Sequence, residues 1–327
     1  MQKILCHHAH SQNFSMQYNA LWALKHFIQA ADTETKKNCL RDLDQDWLLR
    51  LIRGNSEDDD CAPNNVCDLD IDKNYDIAME SSDDEDEARA GSHSPSPQTR
   101  SNRDDGNGQF WRRASTQVSN CNDIPQGIKG GEKDTKKDET RIQEQAIDIL
   151  RNFLGGPTSN LNSSGNEQMV TYLFDSIGEN ELFELLASKL RAKVHRPFPR
   201  SYTCVNHGNT KVSPPRAKIL AAVFMLLVNI AASNNPRHRH AIVRQTELMR
   251  LVVQHYNHHV KEVRQAFCWL IIDLTYAENE QDRSGSIDRV KELHKLGVPA
   301  KVDQLLKDAD LDVRERAKTA KHQLHYA

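Results

Sequence analysis

The residues most able to do chemistry are histidines. His255 and His259 stand four apart, the spacing that places two imidazoles on one helical turn and is a known zinc geometry. No Glu stands between them as in H-E-x-x-H, and no third ligand is indicated. They therefore read as surface histidines, as do His7, His8, His10, His238, His240 and His258. The cysteines (Cys6, Cys39, Cys61, Cys67, Cys121, Cys204 and Cys268) are odd in number and scattered, with no C-x-x-C. That pattern points to a reducing compartment and argues against both a disulfide framework and a zinc module. A glycine-rich phosphate loop, a G-x-S-x-G elbow and a clear nucleophile–base pair are all missing from the sequence. The chain reads as a non-enzyme with no cofactor, no metal and no small-molecule substrate. Two modification patterns remain: Arg112-Arg113-Ala114-Ser115 suits a basophilic kinase, and Ser81 and Ser82 precede an acidic run that suits an acidophilic one.

The elements that would position any site are set by composition. The 327 residues are 38% hydrophobic and 27% charged, with mean hydropathy −0.71, too polar to be packed core throughout. No stretch reaches 18 apolar residues, so no spanning helix and no membrane partner are expected. The formal net charge of −3 hides a division. Residues 54–136 hold 19 acids and 9 bases and have almost no apolar periodicity, so this segment is expected to be a disordered acidic insertion. The remainder carries a net +7, spread over the whole length rather than striped, which argues against nucleic acid. A shorter Pro-rich loop is expected over 194–214.

The other segments (1–53, 137–193 and 215–327) read as helix throughout, with apolar residues recurring at three and four and no strand-type alternation. Five helices share one frame: Met16, Ala20, Ala23, Phe27; Ile142, Ala146, Ile149, Phe153; Ile219, Val223, Leu226, Ile230; Val263, Phe267, Leu270, Leu274; and Val313, Ala317, Ala320, Leu324. Each set is a single stripe down three turns. Four of the stripes follow a leucine-rich helix of matching pattern, around Leu48, Leu182, Leu248 and Val302. The last two stripes begin 44 and 50 residues after their predecessors. The two earlier intervals approach the same period once the interruptions are removed. A helical repeat of this length is the armadillo/HEAT signature, so the expected fold is an all-α, right-handed solenoid of about four and a half repeats, the first one incomplete.

In the armadillo form a long third helix lines the groove with a Trp and, four residues later, an Asn. The Trp position here reads Trp22, Asp148, Met225, Trp269 and Thr319; the Asn position reads His26, Asn152, Asn229, Asp273 and Gln323. Side chains that hydrogen-bond at every rung are what an extended peptide requires when its amides leave water. The expected groove residues are Trp269, Asp273 and Tyr276 on one face, with Asn229 and Asn152. A competing reading packs Trp269 between neighbouring repeats and lets Tyr276 end its helix. Arg264, with Lys218 and Arg141, is expected to steer an acidic tail, against the plainer reading of a solvated face. Phosphates at Ser81, Ser82 or Ser115 would then drive the acidic segment onto the groove, unless the segment is an inert loop.

Several segments resemble one armadillo family: Asn19-Ala20-Leu21-Trp22-Ala23-Leu24-Lys25-His26, Asp46-Trp47-Leu48-Leu49-Arg50-Leu51, Ile142 to Gln145 with Arg151 to Leu154, Glu262 to Trp269, and the ending from Asp288 through Gly297 to Lys318. Together they resemble the C-terminal repeats of the armadillo subunit of the GID (CTLH) ubiquitin ligase complex. The resemblance implies a scaffold of the cytoplasm and nucleus that holds a substrate (degron) receptor by its tail against the RING-bearing core subunits. It also implies a longer family chain, with further repeats upstream. An importin-α-like transport adaptor, or another armadillo adaptor unrelated to ubiquitination, is the alternative. It would require a regular series of Trp–Asn pairs, and only Trp269 with Asp273 pairs a Trp with an acid or amide.

Overall fold

The computed structural model of the protein describes residues 1–54, 133–155, 164–195 and 211–326. The chain opens with α1 (Gln2–Ala9) and α2 (Phe14–Ala30). Four helical triplets follow: α3 (Thr33–Leu43), α4 (Gln45–Arg53) and α5 (Lys133–Leu154); α6 (Ser164–Ile177), α7 (Glu179–Leu190) and α8 (Ala217–Ala231); α9 (Pro236–Arg244), α10 (Thr246–Gln254) and α11 (Lys261–Thr275); α12 (Arg283–Lys295), α13 (Val298–Leu305) and α14 (Leu311–Tyr326). The long helix of each unit packs on the next in the order α2, α5, α8, α11, α14, and one continuous apolar core runs beneath them.

Local chemistry explains the boundaries. Asn13, Asp32 and Asn235 cap α2, α3 and α9, accepting from the amides of Met16, Thr35 and Arg237. Pro236 sits in the first turn of α9, where its missing donor costs nothing. Gly297 turns α12 into α13 at φ 71°, a left-handed conformation that a side chain would strain. All sixteen stripe positions on α5, α8, α11 and α14 are at most 7% exposed, so the shared frame is the buried frame there. Each large side chain among them contributes roughly 1.5–3 kcal/mol on leaving water.

The structure departs from the sequence reading in three places. On α2 the buried stripe is Ala20, Leu21, Leu24 and Ile28, whereas Met16 stands 46% exposed and Ala23 and Phe27 are only partly buried. This helix follows only the short α1, and its inward face is turned by one residue relative to the later long helices. The end of the expected insertion is helical: α5 begins at Lys133, four residues before the expected start of helix. The run Lys133 to Glu139 contains no Gly or Pro, and Asp134 with Lys137 and Lys136 with Glu139 stand three residues apart with opposite charge. The rest of that segment, with Ser81, Ser82 and Ser115, lies outside the described residues. In the Pro-rich region, β1 (Lys193–His195) and β2 (Lys211–Ser213) pair antiparallel, Val194 opposite Val212. Three-residue strands are too short for alternation to show in a sequence.

Candidate functional site

The long helices form a layer stitched by side chains rather than by apolar contact alone. Asn152 donates from Nδ2 to the Lys25 carbonyl of the preceding long helix at 2.9 Å, and Asn229 donates in the same way to the Arg151 carbonyl at 3.1 Å. Because each partner is a carbonyl, the amide orientation is settled: the NH2 faces the neighbouring helix. No described residue donates to either Oδ1. Asp148, at the Trp position of α5, bridges Lys25 and Arg151 at 3.2 Å each. At the last rung Thr275 donates from Oγ1 to Gln323 Oε1 at 2.7 Å.

Asp273 occupies the same rung position on α11 but behaves differently. Its carboxyl is half-buried and takes neither a hydrogen bond nor an ion pair from the described residues. Lost hydration pushes its pKa up to about 7, against the downward pull of Arg239. One turn earlier the Trp269 ring is partly buried against the core and carries the Arg316 guanidinium of α14 at 4.3 Å. Trp269 thus belongs both to the packing between repeats and to the exposed layer. Tyr276 caps α11 rather than continuing it, is 48% exposed, and has the Arg239 guanidinium 5.4 Å from its ring centroid. At the far end of the layer the exposed Trp22 meets His26 edge-on at 4.4 Å.

Arg264, expected to steer a ligand, is bound within the chain. Its guanidinium grips Asp308 through two bonds of 2.6 and 2.9 Å, and Nη1 donates to the carbonyls of His258 and His259. Arg314, one repeat on, makes the corresponding bonds to the carbonyls of Asp308 and Ala309. This is a helix-start clamp that recurs, and its charge is internally compensated. Lys218 and Arg141 are exposed on the layer near Glu144, whose pKa is raised chiefly by burial. The zinc geometry does not form either: α10 ends at Gln254, so His255 and His259 share no helical turn, and His255 Nε2 lies 2.9 Å from the Leu190 carbonyl. Among the described residues no cluster of three metal-ligating side chains exists, and no helix is long and apolar enough to cross a membrane.

The sequence reading missed a buried ionic cluster behind the layer. Arg289 donates to both carboxylate oxygens of Asp282 at 2.9 Å and to the carbonyls of Leu274 and Tyr276. Arg239 does the same work one repeat earlier, bonding the carbonyls of Ala231 and Ser233 and the Glu278 carboxylate, with Asp282 3.6 Å away. Both arginines tie off the C-terminal carbonyls of a long helix, which would otherwise be buried without donors. Lys36 serves the same end at Gly155, donating to its carbonyl, and burial lowers its pKa to about 8. A signal existed: Arg239 and Arg289 fall among positions that the helical period turns inward, beside Ile242 and Val290.

His238 is also buried, between Ser233 Oγ at 2.7 Å and Thr171 Oγ1 at 3.4 Å, and burial depresses its pKa to about 4. The unfolded chain takes up that proton near pH 6.5 and the folded chain does not. This contribution to stability is therefore complete above pH 6.5 and lost as the pH falls towards 4. His238→Gln, which keeps a hydrogen-bonding side chain but cannot ionise, is expected to remove up to about 3 kcal/mol of that acid sensitivity. Thermal melts between those two pH values check this; parallel pH profiles for the two proteins would refute it.

A scan against protein-family profiles and a search of curated proteins returned no match. Solved structures do match. A designed armadillo repeat protein in complex with the peptide (KR)4 superposes with a TM-score of 0.50 over 98% of this chain and 81% of that one, at 12% identity. The chain is an armadillo-type α-solenoid. A structure described as computationally designed armadillo repeat proteins for modular peptide recognition gives 0.49 over 98% and 80%, at 11% identity.

Proposed function

We propose that the protein is a non-catalytic scaffold that binds an extended peptide along its third-helix groove, and that it works as an adaptor in a multisubunit ubiquitin ligase of the GID (CTLH) type. The observation that carries the binding reading is the row of rungs at Asn152, Asn229 and Asp273. Each is a polar side chain on the groove layer with an oxygen that no described residue satisfies. Such oxygens suit the main-chain amides of a strand-like ligand. The ligand of one structural neighbour is a peptide, (KR)4. The ligase role rests on the resemblance of the quoted segments to the GID armadillo subunit, as do its proposed partners, a substrate-receptor tail and the ligase core subunits, and its place in cytoplasm and nucleus.

Affinity purification of the tagged full chain from its own cells, read by mass spectrometry, tests the ligase role. RING-bearing and CTLH-type subunits are expected among the co-purifying proteins. Their absence, with other partners recovered, would leave a peptide-binding armadillo adaptor outside the ubiquitin system.

A further inference from the structure

Three observations converge on the groove around α11. The first is the polarity of the rungs. Asn152 and Asn229 each donate one amide N–H to the preceding helix, and the Oδ1 of each has no donor among the described residues. The second is the isolation of Asp273. A carboxylate at this depth normally holds an intramolecular cation, as Asp282 holds Arg289 and Asp308 holds Arg264. Asp273 has no such partner among the described residues. Arg239, the cation whose charge acts on it, hydrogen-bonds two carbonyls and Glu278 and lies 3.6 Å from Asp282, while its Nη1 makes no hydrogen bond. The third is the company it keeps. Trp269 and Tyr276, before and after it on the chain, each stand against a guanidinium of the chain itself, so cation–aromatic contact already occurs on either side of Asp273.

We propose that Asp273 receives the ammonium or guanidinium of a lysine or arginine borne by the peptide in the groove. This rests on the peptide-binding reading above and adds the charge of the ligand. A desolvated carboxylate without a partner has two ways to lower its energy, to take up a proton or to acquire a cation, and burial has already moved it part of the way to the first. A bound cationic side chain supplies the second and returns the carboxyl to its ionised form. An acidic side chain at the same place would meet Asp273 as a like charge. The sequence reading drew an acidic tail to Arg264, Lys218 and Arg141; Asp308 takes up the first of these, and the other two stay exposed on α8 and α5.

A positional-scanning set of N-acetylated, C-amidated dodecapeptides, titrated by fluorescence polarisation against the full chain, tests the assignment. Pools fixed with Lys or Arg at one position are expected to bind at least about tenfold more tightly than pools fixed with Met or Glu there. Asp273→Asn is expected to bring that ratio close to one, and Asp273→Glu to restore part of it. Asparagine already fills two neighbouring rungs, so Asp273→Asn is expected to fold, and its melting curve verifies this. If Lys, Met and Glu pools bind alike, or if the cation preference survives in Asp273→Asn, the assignment is overturned while the groove reading stands. If no pool binds, the groove reading fails and the assignment falls with it.

Discussion

Replacing Asp282 with alanine is expected to destabilise the C-terminal repeats by about 3–5 kcal/mol. Asp282 lies between two buried guanidiniums: the side chains of Arg239 and Arg289 are 2% and 0% exposed, and that of Asp282 is 3% exposed. Removing the carboxylate leaves Arg289 with carbonyl partners only and takes from Arg239 one of its two anions. The loss exceeds that of an ordinary salt bridge because the remaining charges stay out of water without compensation. Because a repeat array unfolds by units, the damage should be local. Hydrogen exchange is expected to show lost protection in α9 to α14, with α2 to α8 retaining most of theirs. A loss below about 1 kcal/mol in urea unfolding would show that the cluster is not the fastening described here.

The second large effect concerns the groove. Trp269→Ala combined with Tyr276→Ala is expected to weaken the bound partner by at least about thirtyfold, the effect of removing aromatic anchors from a groove centre. Trp269 also supports the Arg316 stack between α11 and α14, so part of its truncation falls on stability. Trp269→Phe with Tyr276→Ala separates the two roles, because phenylalanine retains a ring face for Arg316. On the ligase role proposed above, the double alanine variant should lose the substrate receptor in affinity purifications while retaining RING-bearing and CTLH-type subunits. If the receptor and the core both stay, the groove holds no partner and the protein is a purely structural member of its assembly.

The groove also shows which properties of this protein are local and which are not. The sixteen buried stripe positions were legible because each depends on residues within a few positions of one another. A helical period is a property of one segment, and five segments repeating one frame imply the solenoid that stacks them. The rung residues were legible as polar positions for the same reason. Their roles were not. Asn152 meets a carbonyl 127 residues earlier in the chain, Arg264 meets an aspartate 44 residues later, and Arg239 reaches Glu278 across 39 residues. Arg264 and Asp273 look alike in the sequence, each a charged residue on the same helix. Packing gave one a carboxylate in bidentate contact and left the other without a counter-ion. Hydrogen bonds and ion pairs act over a few ångströms and need defined geometry, so only the stacked repeats decide which charges are satisfied within the chain and which remain for a ligand.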